Sequence, residues 1–65
     1  MTITATAVIE DHGSIVVFEG RDEEGWAVQF AADHRPAAEL VQAIGEFGEA
    51  QCEVPGYMMM GRVEG

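Results

Sequence analysis

"SIVVFEGRDEEGWAVQFA", residues 14–31, decides the fold. Two apolar runs rich in β-branched and aromatic residues flank a polar centre, "GRDEEG", at residues 20–25. That centre is too charged to be buried, and Gly20 and Gly25 punctuate it, so it reads as the tip of a β-hairpin. In "SIVVFE" (14–19) both faces are apolar: Ile15 and Val17 on one, Val16 and Phe18 on the other. Such a strand belongs at the centre of a sheet. In "WAVQFA" (26–31) Trp26, Val28 and Phe30 share one face, the period-two signature of a strand with one buried side.

Working toward the N-terminus, "TITATAVIE" (2–10) alternates, with Ile3, Ala5, Ala7 and Ile9 on one face and Thr2, Thr4, Thr6 and Val8 on the other. It is a third strand, joined to the central one through "DHGS" (11–14), a turn with Gly13 at its permissive position. The three strands form an antiparallel meander. Toward the C-terminus, Asp33 stands at a helix N-cap position with Pro36 in the first turn. Ala37, Leu40, Val41, Ile44 and Phe47 then fall on one stripe, opposite Glu39, Gln42 and Glu46. This predicts an amphipathic helix of about three turns, stopped at Gly48. Gly45 is expected where the helix lies close to the sheet. "AQCEV" (50–54) alternates again, with Ala50, Cys52 and Val54 inward; "PG" (55–56) breaks the chain before "YMMMGRV" (57–63). These last residues form either a hairpin or one interrupted strand. The expected fold is α+β: an antiparallel β-sheet of four to five strands with one α-helix packed on one face, in the order β-β-β-α-β-β, as a single domain over 1–65.

Twelve acidic residues face three arginines, with no lysine, for a net charge of −9 on 65 residues. Direct nucleic-acid binding and attachment to anionic membranes both require Lys and Arg, so this composition excludes both roles. Its natural complement is a basic protein partner, toward which such a field accelerates encounter. No signal peptide or membrane span is legible at the N-terminus, and the single Cys52 forms no internal disulfide, which suits a reducing, cytoplasmic setting. A chain this short buries only about 60% of its unfolded surface, so self-association is one way to complete a core.

Catalytic chemistry has little to stand on. His12 beside Asp11 and His34 beside Asp33 are each candidate proton carriers, but His at a turn or a helix start is usually a solvated or capping residue. Ser14 has no nucleophile-elbow context, and Cys52, inward on a strand, reads as a small apolar filler. "DEE" lacks the ligand ladder of a calcium loop, and one cysteine is too few for a structural zinc site. No catalytic set, metal site or cofactor is therefore expected.

Two features carry interaction chemistry instead. Asp22, Glu23 and Glu24 at the hairpin tip, with Glu39 and Glu46 on the outer side of the helix, form a set of exposed anions. Glu39 and Glu46 lie two turns apart, about 10 Å along the axis, and such an array can imitate a phosphate backbone. The competing reading is a plain solvated face. Tyr57, Met58 and Met60 are the second feature: on a strand one side of "YMMM" fills core and the other is free for a partner or a second copy.

A short, strongly acidic, lysine-free chain laid out as a small sheet with one helix and lacking a catalytic set resembles the small phage-encoded anti-CRISPR proteins. The resemblance implies a stoichiometric, non-enzymatic inhibitor acting in a host cytoplasm on the DNA-binding surface of an interference complex. Two other roles are compatible with the residues: a homodimeric accessory protein associating through its C-terminal strand, and a small-ligand binder or enzyme using His12 and His34.

Overall fold

The computed structural model describes residues 1–53 and 59–62. Its elements are β1 (Thr2–Asp11), β2 (Ile15–Arg21), β3 (Ala27–Asp33), α1 (His34–Phe47), β4 (Ala50–Glu53) and β5 (Met59–Arg62). The sheet is antiparallel throughout, in the order β4-β1-β2-β3-β5, which makes the doubly apolar β2 the central strand. The α+β order expected from the sequence is the order observed. The two C-terminal strands, however, are neither a hairpin nor one interrupted strand. β4 pairs with β1 and β5 with β3, at opposite edges of the sheet. Each edge of the meander offers unpaired backbone groups, and the chain pairs part of one with β4 and part of the other with β5.

One face of the sheet meets α1. Ile3, Ala5, Val16, Phe18, Val28, Phe30 and Ala32 point there and pack with Ala37 and Leu40. Phe18 and Phe30 are cross-strand partners whose rings stack with centroids 5.4 Å apart, a pairing worth about 0.5–1.5 kcal/mol beyond the area buried. Val17, on the opposite face of β2, is buried as well, whereas Ile15 on that same face is exposed. Cys52 and Ala50 of β4 pair with Ile3 and Ala5 and extend the core.

Gly20 lies inside β2, not at the hairpin tip as its place beside the charged run suggested. It pairs with Ala5, and a Cβ there would stand 2.2 Å from the Thr4 carbonyl oxygen. Only a residue without a side chain permits that approach. Immediately beyond this contact β1 carries two bulges, at Thr6 and Ile9, each an extra residue relative to β2. Bulges rotate the strand that follows, so the clean alternation of 2–10 ends at Ala5. Ile9, expected inward, is exposed.

The helix is longer than the expected three turns, 14 residues. Asp33 occupies the N-cap position in extended backbone but forms no side-chain cap hydrogen bond. Gly48 closes the other end at φ 83°, donating its N–H to the Ile44 carbonyl at 2.9 Å, a left-handed cap that favours glycine. Ala37 and Leu40 are buried and Ile44 partly so, but Val41 and Phe47 of the expected stripe stay exposed, Phe47 to 75%. Because they flank the buried direction on either side, a single helix on a small sheet cannot cover both. Gly45 is also exposed, with open space where a Cβ would point, so it makes no close contact with the sheet. Trp26, expected to share the buried face of Val28 and Phe30, precedes β3 and is 53% exposed.

Candidate functional site

The acidic run at 22–24 closes the β2–β3 hairpin, and its order comes from Asp22. The Asp22 carboxylate accepts hydrogen bonds from the backbone N–H groups of Glu24 and Trp26, both at 2.9 Å. Its own N–H donates to the Trp26 carbonyl at 3.0 Å, while Arg21 Nη1 donates to the Gly25 carbonyl at 3.1 Å. An aspartate in such a turn replaces a missing backbone partner. Asp22 is thus half-buried and committed to the loop, whereas Glu23 and Glu24 are exposed at its apex.

The tip leans on the start of the sheet. Glu23 Oε1 accepts the Thr2 N–H at 2.8 Å, and Glu53 Oε1 accepts the Thr2 hydroxyl at 2.9 Å. The N-terminal ammonium lies 3.4 Å from Glu53 Oε2. The Thr2 hydrogen bond, and secondarily the ammonium, hold the Glu53 carboxyl below the usual glutamate range. Thr2 therefore gathers Glu23 and Glu53 into one acidic end. Glu53 was legible from the sequence as an outward position on its strand, but nothing there linked it to the hairpin tip.

A second group of acids occupies the far end of β1. Glu10 Oε2 and His12 Nε2 are 2.7 Å apart, and Asp11 Oδ1 accepts the Gly13 N–H at 2.8 Å across the β1–β2 turn. Asp33 pairs with Ile15 at the same end of the sheet. The third group is on the solvent side of α1, where Glu39 and Glu46 are exposed, followed by Glu49. Among the described residues none of these three glutamates takes part in an ion pair or a side-chain hydrogen bond. The anions expected to act together thus occupy separate elements. Tyr57 and Met58 lie outside the described residues, and Met60 belongs to the edge strand β5.

The charges on α1 run against its dipole. Beyond Asp33 at the N-cap, Arg35 stands in the first turn and Glu46 in the last, followed by Glu49, with no acid in the first turn and no base in the last. Unpaired N–H groups make a helix N-terminus positive and unpaired carbonyls make its C-terminus negative, so each such placement costs about 0.3–1 kcal/mol. Helix stability does not explain why these residues stand where they do.

Between α1 and the β1–β2 turn lies a groove of about 360 Å³, lined by Asp11, Gly13, Val16, His34, Ala37, Ala38, Val41 and Gln42. His34 and Asp11 both line it, whereas His12 turns to Glu10. Among the described residues no group of three or more His, Cys, Asp or Glu is placed to hold a metal, and no helix is long and apolar enough to cross a membrane. Cys52 is half-buried, and burial, with Glu53 beside it, pushes its thiol up, away from the thiolate a nucleophile needs. Comparison with protein-family models, with curated proteins and with solved structures gave no match for the chain.

Proposed function

We propose that this protein is a non-enzymatic binding module that occupies a basic, nucleic-acid-binding surface of a partner protein, the role that its resemblance to anti-CRISPR inhibitors implies. The observation that carries the reading is the charge on α1. Glu39, Glu46 and Glu49 have no cationic partner among the described residues, and Glu46 and Glu49 are placed where they weaken the helix. A purely solubilising coat would serve as well with acids in the first turn, where the dipole favours them. Anions that oppose the dipole suit a surface whose compensation comes from outside, in the Arg and Lys of a partner. Glu23 and Glu24, exposed at a tip that Asp22 keeps in shape, supply a second contact of the same sign.

The test is capture from a cell lysate on the immobilised protein at low salt, at high salt, and with a competing DNA oligonucleotide. The reading expects nucleic-acid-binding proteins that both salt and DNA displace, because screening weakens contacts between exposed charges. Captured proteins that DNA leaves in place would refute the claim about the occupied surface.

One observation favours a second reading, a small-ligand binder. The groove at the start of α1 is lined by His34 and Asp11 together with the apolar residues Val16, Ala37 and Val41. If no compound of a small-molecule library shifts the amide resonances of Asp11, His34 and Ala37 in the isotopically labelled protein, this reading is removed.

A further inference from the structure

β1 is ten residues long, but β4 pairs only with Thr2–Ala5. From Thr6 to Asp11 the strand is bonded to β2 on one side, and among the described residues nothing pairs with its other side. The exposed segment is a sheet edge with open N–H and C=O groups, and Val8 and Ile9 on it are each 41% exposed. Edges of this kind either are protected or take up another strand.

We infer that the edge of β1 from Thr6 to Asp11 docks an extended basic segment of the partner protein as an added antiparallel strand. This deepens the reading given above and rests on it. The chemistry along the edge is ordered. Ala7 and Glu10 face the helix-free side, opposite Glu19 and Val17 of β2; Val8 and Asp11 face the helix side, opposite Phe18 and Val16. Each face therefore carries a small or apolar residue first and a carboxylate after it. An antiparallel partner runs the other way and, like β2 on the other side, places no residue opposite the bulged Ile9, so it needs a basic pair followed directly by two β-branched residues. Opposite charges facing each other across strands, and apolar pairs likewise, are the contacts that select one segment over another.

A second copy of this chain fits the edge less well. It brings another net charge of −9 and another doubly bulged strand, and bulges twist an edge away from a rigid neighbour. A short flexible segment can follow the twist. The chain has no lysine and only three arginines, so a basic pair of this kind belongs to another protein.

The experiment uses the isotopically labelled chain and a capped peptide, Thr-Lys-Arg-Val-Ile-Thr, in low salt. Two further versions carry N-methyl groups on one or the other alternate set of backbone amides, which removes donors while keeping every charge. The expected result is slowed amide exchange confined to residues 6–11 on binding. One N-methylated version should bind about tenfold more weakly, the other nearly as well as the parent. Equal binding by all three peptides overturns the proposal, because charge alone would then account for it. Perturbations gathered at 22–24 or along α1, with 6–11 untouched, also overturn it while leaving the acidic-surface reading intact. No perturbation anywhere would remove both.

Discussion

The Glu23 carboxylate accepts the backbone N–H of Thr2 at 2.8 Å, tying the apex of the β2–β3 hairpin to the first residue of the sheet. An exposed residue expected to serve only as a charge is also a clasp. Charge reversal at Glu23 therefore changes two things, and a cleaner variant separates them. Glu23→Gln keeps a carbonyl oxygen for the Thr2 N–H and loses the charge; Glu23→Lys loses both. If the tip contacts a partner, Glu23→Gln weakens salt-sensitive binding while amide exchange at Thr2 stays near that of the parent. In Glu23→Lys both change. Unaltered binding by the two variants would take the tip out of the interface.

Glycines 20 and 45 make opposite predictions. A Cβ at Gly20 meets the backbone of Thr4 and Ala5, which cannot swing aside as the end of a side chain can. Gly20→Ala should lower stability by about 3 kcal/mol, at the upper end of overpacking costs, and the bulged half of β1 should lose exchange protection first. Gly45 is helical and exposed, with open space around a new Cβ. Gly45→Ala should raise stability by about 1 kcal/mol, which for a chain of this size is roughly 4–8 °C in Tm. Calorimetry of the two variants settles both signs.

The same residues show what a sequence can disclose. Hairpin tip, central strand, helix and its stop at Gly48 were all legible, because each depends on local pattern: period two, period 3.6, or a turn residue at a fixed place. Gly20 was not, since its role depends on Ala5 and Thr4, fifteen or more residues away and across a strand pair. The inward position expected for Ile9 failed for a related reason. A bulge adds one residue and shifts every later side chain to the other face, and no local signal in "TITATAVIE" marks it. In the acidic set, Glu23, Glu24, Glu39 and Glu46 were correctly read as exposed, whereas the use of Asp22 as the organiser of its loop depends on where the chain returns at Trp26. Phe47 shows the limit of the periodic argument: the stripe was present, but one small sheet lacks the width to cover it.

The reversed charges of α1 predict a conflict between stability and binding. Glu46→Lys places a cation near the C-terminal carbonyls and should stabilise the fold by about 0.3–1 kcal/mol, an effect that salt diminishes. Under the proposed function the same change weakens capture of a basic partner. Arg35→Glu is the matched control at the other end of the helix: it should stabilise by a similar amount and, because it adds an anion, leave capture intact or improve it. A Glu46→Lys variant that is more stable and binds equally well would show that this face serves only solubility.

Glu53 supplies the acid limb of stability. Its carboxyl is held below the ordinary glutamate value, first by the Thr2 hydroxyl and then by the N-terminal ammonium. A carboxyl with a lower pKa in the folded than in the unfolded chain binds fewer protons when folded between the two values. Its contribution is therefore fully present above the unfolded glutamate pKa and is lost as the pH falls through the folded one. Glu53→Gln should remove that contribution at neutral pH and flatten the loss of stability over this acidic window. Thr2→Val should do part of the same, since the ammonium remains. Urea unfolding between neutral and acidic pH reads the difference. If the parent and Glu53→Gln lose stability in parallel through that window, the pairing at Thr2 does not anchor β4 to β1.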